Sequence, residues 1–297
     1  MSDLEESIPV SEENERIMKH RPHPIFRVEK PVKVSKYSRD EWRLLECLET
    51  GLVYLDNPVD YASLKKDYAW EKTYAKLKEE KEKNEPVFSK LSAMVKFIRR
   101  KVRKLPKIYT LPVDLCESHF ADREVLNILD VGCGDGHYSF SIAQSIASKT
   151  GKQVIPNGIE ISVELHKLAD AKLRELGGEV VHSPAVEGMA ELKDSSQNLV
   201  IMHSFLEHET DPIGLLEACR SKLSEDGLLI IKVPNFACWN RLVRQHKWCG
   251  FRFPDHVNYF SPNNLKLILE QAGFKIFQMN FFDTIPTSDN MWVVASK

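Results

Sequence analysis

The 297-residue sequence contains no apolar run approaching the roughly 18 to 20 residues that cross a bilayer. Its opening stretch, MSDLEESIPVSEENE, is acidic and polar, the opposite of a secretory leader. Six cysteines stand at 47, 116, 133, 219, 238 and 249, with no Cys-x-x-Cys pair and no histidine cluster at zinc-finger spacing. Without an export signal they read as reduced thiols of a cytoplasmic protein. The net charge is only −2, so bulk electrostatics point neither to nucleic acid nor to an acidic partner. The Gly-Lys-Ser/Thr of a phosphate loop is missing, and there is no internal repeat. What is there, 42% hydrophobic and 28% charged residues, suits a soluble globular chain with one large domain plus an appendage, or two modest domains.

Residues 1–40 carry proline and charge without sustained periodicity and are expected to be a flexible tail, loose or wrapped on another surface. Residues 41–115 form an N-terminal extension, expected to be mostly helical. Within it, 41–56 suits a short helix or strands about a Gly51 turn, and 61–85 reads as solvated helix. Residues 86–113 hold Lys90, Lys96, Arg99, Arg100, Lys101, Arg103, Lys104 and Lys107, with Leu91, Val95, Ile98 and Val102 at helical spacing. Such a stretch either lies on an anionic membrane through 86–107 or docks its apolar stripe on the protein. The second is favoured, because charge runs are usually solvated faces.

Residues 116–297 alternate short apolar runs with amphipathic helices, the signature of an α/β sheet. VLNILDV reads as a fully buried strand. It delivers Asp130-Val131-Gly132-Cys133-Gly134-Asp135-Gly136, a loop whose glycines let the backbone approach a ligand. A dinucleotide fingerprint needs a glycine three positions after the second, where His137 stands, so pyrophosphate is disfavoured. Glu160 ends the next strand and can accept hydrogen bonds from both hydroxyls of a ribose.

With DVGCGDG, GIEIS, SFLEHETDP, DGLLIIKVPN and DHVNYFSPNNLKLILEQAGF in this order, residues 120 to 297 resemble the class I S-adenosylmethionine-dependent methyltransferases. The likeness is to the branch holding the ubiquinone-biosynthesis O-methyltransferases and uncharacterised glycan and natural-product enzymes. The resemblance implies a doubly wound, Rossmann-like seven-stranded sheet whose last two strands form an antiparallel hairpin. It implies S-adenosylmethionine as cofactor, leaving as S-adenosylhomocysteine. Asp130, Gly132, Cys133 and Gly134 would line its methionine part, Glu160 its ribose, Ile161 its adenine, and Ala185 and Val186 the adenine edge. His203 stands where the family touches the cofactor's amino-acid moiety. The acid usually found before Ala185 is replaced by Ser183-Pro184.

The segment 235–260 is expected to be a lid inserted after the fifth strand. Its Trp239, Trp248, Arg252, Phe253 and Tyr259 are the candidate substrate contacts, and its mix of rings and cations suits a small acceptor, anionic or sugar-containing. A hydroxyl acceptor needs its proton removed, for which His256, His208 and neighbouring Tyr259 are candidates. The bland reading, a packed insertion with structural histidines, stands beside this one. Metal-dependent relatives bring extra acids to the turn after the fourth strand. Here Ser204 precedes Leu206-Glu207-His208, so no metal is expected. Relatives also begin with a zinc-ribbon remnant, which Cys47-Leu48-Glu49-Thr50-Gly51-Leu52 has degraded beyond metal binding. The expectation is O-methylation of a sugar, lipid-linked glycan or natural-product hydroxyl. N- or C-methylation, or an inactive cofactor-holding partner protein, are the rivals. Nucleic acid is not expected as substrate.

Overall fold

A computed structural model describes residues 21–59 and 106–297. The frame is a seven-stranded sheet assembled from apolar strands. In chain order these are β4 (Val125–Val131), β5 (Gln153–Ile159), β6 (Val180–Val181), β7 (Gln197–His203), β8 (Leu223–Pro234), β10 (Lys275–Gln278) and β11 (Asn290–Ser296). Their spatial order is β10-β11-β8-β7-β4-β5-β6. The strands from β6 to β8 pair in parallel. β11 enters antiparallel between β8 and β10, which it pairs along Lys275↔Ser296. The expected final antiparallel pair is present.

Helices cover both faces because the strands are apolar on both. On one face, α1 (Lys107–Ser118) and α2 (His137–Thr150) bury Ile108, Leu111, Leu115, Ile142 and Ile146 against Ile128, Ile201 and Ile230. On the other, α4 (Ala185–Glu191), α5 (Pro212–Lys222) and α7 (Pro262–Gln271) bury Met189, Ile213, Leu216, Leu265 and Ile268 against Leu129, Met202 and Ile231. α3 (Val163–Arg174) flanks β5, and its start is capped by Ser162. The start of α5 is capped by Asp211, whose side chain accepts the Gly214 N–H, with Pro212 in the first turn. From β4 the chain winds outward through β5 and β6, then returns to the other side of β4 as β7. The crevice beyond the carboxyl ends of β4 and β7 is where such sheets bind ligands.

A second sheet differs from expectation. β1 (Val32–Val34), β2 (Leu44–Cys47) and β3 (Val53–Leu55) form an antiparallel meander, and β9 (Asn258–Tyr259) of the insertion joins its edge. Residues 21–55 are therefore strands and turns: 21–40 are not the loose tail expected, and of the short helix or strands considered for 41–56 the strands form. The alternation around Gly51 resolves as β2 and β3, because each supplies apolar side chains to a core shared with the lid. The helices expected over 61–105 and the tail before residue 21 lie outside the described residues. Among the described residues no helix is long and apolar enough to cross a membrane.

Candidate active site

The loop after β4 holds itself in shape. The amides of Gly132 and Cys133 both donate to the Ile159 carbonyl, at 2.9 and 3.2 Å, and that of Gly136 to the Cys133 carbonyl at 3.0 Å. The Gly134 amide donates to Glu160 Oε2 at 2.9 Å, and the His137 amide to Asp135 Oδ1 at 3.0 Å. Amides committed in this way are not available as a phosphate nest, a physical reason for pyrophosphate to be disfavoured here. At Gly134, with φ +58°, a Cβ would meet nothing within 4 Å, so the open face of the turn lies here. At Gly132 a Cβ would strike the Phe205 ring, so the ring approaches the backbone closely here.

Glu160 is buried at the tip of β5, its Oε1 accepting the Ser162 amide at 2.8 Å. A carboxylate has about four acceptor sites, and these two amides fix its plane while taking two of them. Asp130 is buried beside it and accepts the Ser139 hydroxyl at 2.5 Å. Burial pushes the Asp130 carboxyl up to about 7, opposed by the Ser139 bond and reinforced by Glu160. Ile161 offers its carbonyl to His182 Nε2 at 3.0 Å. Ala185 and Val186 open α4 beside them, Ala185 buried and Val186 half-buried. The Cys133 thiol is buried against Gly158, burial raises its pKa, and the side chain contributes packing. An open glycine turn beside an oriented carboxylate fits an adenosine with a short amino-acid arm. Asp130, Gly132 and Gly134 would hold that arm and Glu160 the ribose.

His203, ending β7, lies between the rings of Tyr138 and Trp292, with centroids 5.5 and 5.8 Å away. Burial, helped by Lys232, pulls its pKa down to about 3, so it is a neutral imidazole. Lys232 is paired with His203 in β8 register and its ammonium donates to the Ser204 hydroxyl. Burial lowers the Lys232 pKa and Glu207 opposes this. Sequence reading missed Lys232, Tyr138 and Trp292. A lysine inside the otherwise apolar run GLLIIKVP was the signal that could have found the first.

Beyond β7 the turn brings the candidate bases together. Glu207 is buried, and its Oε2 has no hydrogen-bond partner. Burial pushes its carboxyl up to about 7 against the pull of Lys232 and Arg252. His208 Nδ1 donates to the Asp255 carbonyl and His256 Nδ1 to that of Gly250, both at 2.8 Å. Each imidazole therefore keeps its lone pair on Nε2. The rings meet edge to face at 4.7 Å. Burial holds His208 at about 4, and burial followed by His208 holds His256 well below its ordinary value. Glu207, His208 and His256 each place a donor atom within 4.8 Å of the others. This third donor from the lid is what the turn sequence could not show when no metal was expected. The set is large enough for one divalent cation, while Lys232 and Arg252, bearing on the same groups, oppose one.

The lid aromatics play a different part from the one expected. Trp248 and Tyr259 are each 2% exposed, in a core with Tyr37, Leu44, Val53, Leu55, Phe236 and Val257. Trp248 Nε1 donates to Asp289 Oδ1 at 2.8 Å, and Phe253 stacks on Phe251 at 6.3 Å. The Tyr259 hydroxyl has no hydrogen-bond partner and burial raises its pKa, which argues against it as a proton carrier. Trp239 is 59% exposed on α6 (Trp239–Arg244). Arg252 donates to Asp255 Oδ2 at 3.2 Å, and its charge bears on Glu207, His208 and His256. The rings that sequence reading assigned to substrate thus mainly build the lid itself.

A doubly wound sheet in this strand order, with a glycine turn and a buried, oriented acid at its switch point, defines a class I S-adenosylmethionine-dependent methyltransferase. Residues 82–279 match the family described as "Methyltransferase domain", and the chain belongs to it. The chain is 26% identical over 184 residues to the ubiquinone biosynthesis O-methyltransferase of Idiomarina loihiensis, covering 60% of this chain and 73% of that one. It is 31% identical over 162 residues to the enzyme of that name from Nitrosospira multiformis, covering 50% and 63%. Among solved structures it resembles magnesium protoporphyrin IX methyltransferase from Synechocystis with bound S-adenosylhomocysteine. The TM-score there is 0.47 at 20% identity, over 64% of this chain and 82% of that one.

Proposed function

We propose that the protein transfers the methyl group of S-adenosylmethionine to a hydroxyl oxygen of a small molecule, on a sugar, lipid-linked glycan or natural-product scaffold. The observation that carries this is the Glu160 carboxylate, oriented by the Gly134 and Ser162 amides beside a turn that is open at Gly134. The names of the curated relatives support oxygen as the methylated atom.

The acceptor oxygen attacks the methyl carbon as the S–CH3 bond breaks, leaving S-adenosylhomocysteine as a neutral thioether and releasing the hydroxyl proton. The protein's contribution is alignment and exclusion of water. The proton goes to the cluster of Glu207, His208 and His256 under the lid, where the Nε2 lone pair of His256 is the proposed acceptor. Lys232 and Arg252 beside it suit an acceptor carrying negative charge.

Calorimetric titration with S-adenosylhomocysteine tests the first half. Transfer of labelled methyl from S-adenosylmethionine to a panel of catechols, hydroxybenzoates, sugars and sugar phosphates tests the second. Binding with oxygen-linked product supports the reading. Absence of binding rejects it, product methylated on nitrogen or carbon moves it to the neighbouring reaction, and binding with no turnover on any acceptor favours a cofactor-holding partner protein.

A further inference from the structure

Residues 21–55 lie outside the segment shared with the family, yet they meet the catalytic body at its acceptor side. β3 pairs with β9 through Val53↔Tyr259 and Tyr54↔Asn258, and the Leu55 amide extends the ladder to the Val257 carbonyl at 2.9 Å. Arg21 stands at this seam. Its Nη1 donates to the carbonyls of Leu55 and Val257, at 3.3 and 3.1 Å. Its Nη2 donates to the Thr210 carbonyl at 2.6 Å and to Asn258 Oδ1 at 3.1 Å, and its backbone amide to Asp56 Oδ1 at 2.8 Å. Asn258 passes the connection on, since its Nδ2 donates to the carbonyls of Leu206 and Glu209 at 3.2 and 2.7 Å. The amides of Val257 and Asn258 both donate to the Glu207 carbonyl, at 2.8 and 3.1 Å.

One guanidinium thus joins three separate pieces of chain: the end of β3, the lid at 257–258, and the turn at 206–210. A planar fork of five donors can reach all of them at once, and a lysine ammonium cannot. Burial draws the Arg21 pKa down to about 10, which leaves it charged at neutral pH. His256 precedes Val257 directly, and Glu207 and His208 belong to the same turn, so their spacing depends on how lid and turn are held.

We propose that Arg21 is a positioning residue: it clasps the lid to the turn after β7 and thereby sets the acceptor half of the active site without touching the cofactor. This rests on reading the Glu207, His208 and His256 cluster as the acceptor side of a methyltransferase. The N-terminal strands are then a working part of the enzyme. They give the lid a fixed edge that the main sheet does not supply.

The test compares the full chain with Arg21→Ala and Arg21→Lys, using S-adenosylhomocysteine as the probe and amide hydrogen exchange as the second readout. Both variants are expected to bind the probe within about twofold of wild type, because no loop contact is lost. In Arg21→Ala, exchange at 206–211 and 255–260 accelerates roughly tenfold or more, the scale of lost hydrogen bonds to a charged group, while 126–139 is unchanged. Millimolar guanidinium chloride restores that protection and equal sodium chloride does not. Arg21→Lys recovers only part of it. Unchanged exchange at the lid and turn overturns the proposal. So does a loss spread evenly through the glycine loop, or failure of guanidinium to restore protection. A wild-type protein that binds no S-adenosylhomocysteine defeats the methyltransferase reading instead, and leaves the exchange comparison able to judge the clasp.

Discussion

The Glu160 carboxylate lies 2.9 Å from the Gly134 amide, so the acid proposed to hold the ribose also anchors the loop proposed to receive the rest of the cofactor. On that proposal, recognition and support fall to one side chain.

Replacing Glu160 by alanine is expected to weaken S-adenosylhomocysteine binding by about 1.5–3 kcal/mol, the range for hydrogen bonds to charged groups. Glu160→Gln keeps one carbonyl acceptor and should lose less. Calorimetry reads both, and an unchanged dissociation constant for the alanine variant removes the ribose assignment.

Phe205 and Gly132 are expected to be energetically coupled. In Gly132→Ala the new methyl strikes the Phe205 ring from a backbone at φ +71°, so the melting temperature falls and cofactor affinity with it. Adding Phe205→Ala removes the clash but leaves the left-handed strain, about 1–2 kcal/mol. A double-mutant cycle on thermal stability should show this partial recovery, and strict additivity would count against the contact.

Glu207 should make stability depend on pH in a defined direction. Its folded value of about 7 lies above its ordinary 4.5, so the folded state holds the proton more tightly than the unfolded chain. Stability from this group is therefore full below pH 4.5 and is lost as pH rises to 7. Glu207→Gln abolishes the loss, so its stability relative to wild type should climb across that window. The ceiling is about 3 kcal/mol, at ~1.4 kcal/mol per pH unit. Denaturation at a series of pH values checks this, and a flat difference rejects a buried acid here.

His256→Ala is expected to lower turnover with little effect on cofactor affinity, and full activity would remove it as the proton acceptor. Exhaustive dialysis against a chelator should leave turnover intact. Loss restored by a divalent ion would instead assign the three-donor cluster to a metal.

The main sheet was legible because its central strands are short, mostly apolar runs and its loop and caps are local patterns. VLNILDV, the Asp211-Pro212 entry to α5 and the Ser261 start of α7 need no distant information. The proposed cofactor half shares this property, since Asp130, Gly134 and Glu160 sit at strand ends whose order the sequence implies. The proposed acceptor half does not. His256 meets Glu207 only through a turn and a lid nearly fifty residues apart, and Trp248 looks like a ligand platform until its partners Tyr37 and Val53 are known. Arg21 was hidden for the same reason: its value comes from carbonyls contributed by β3, the lid and the turn, and carbonyls leave no mark in a sequence.

The closed hydrogen bonding of the glycine turn has a kinetic corollary. A backbone that already satisfies its own donors has little freedom to surrender when a guest arrives, so affinity is not eroded by an ordering penalty. Capture of the cofactor should then proceed by simple encounter in a single phase, and a slow isomerisation seen on mixing would count against this reading of the turn.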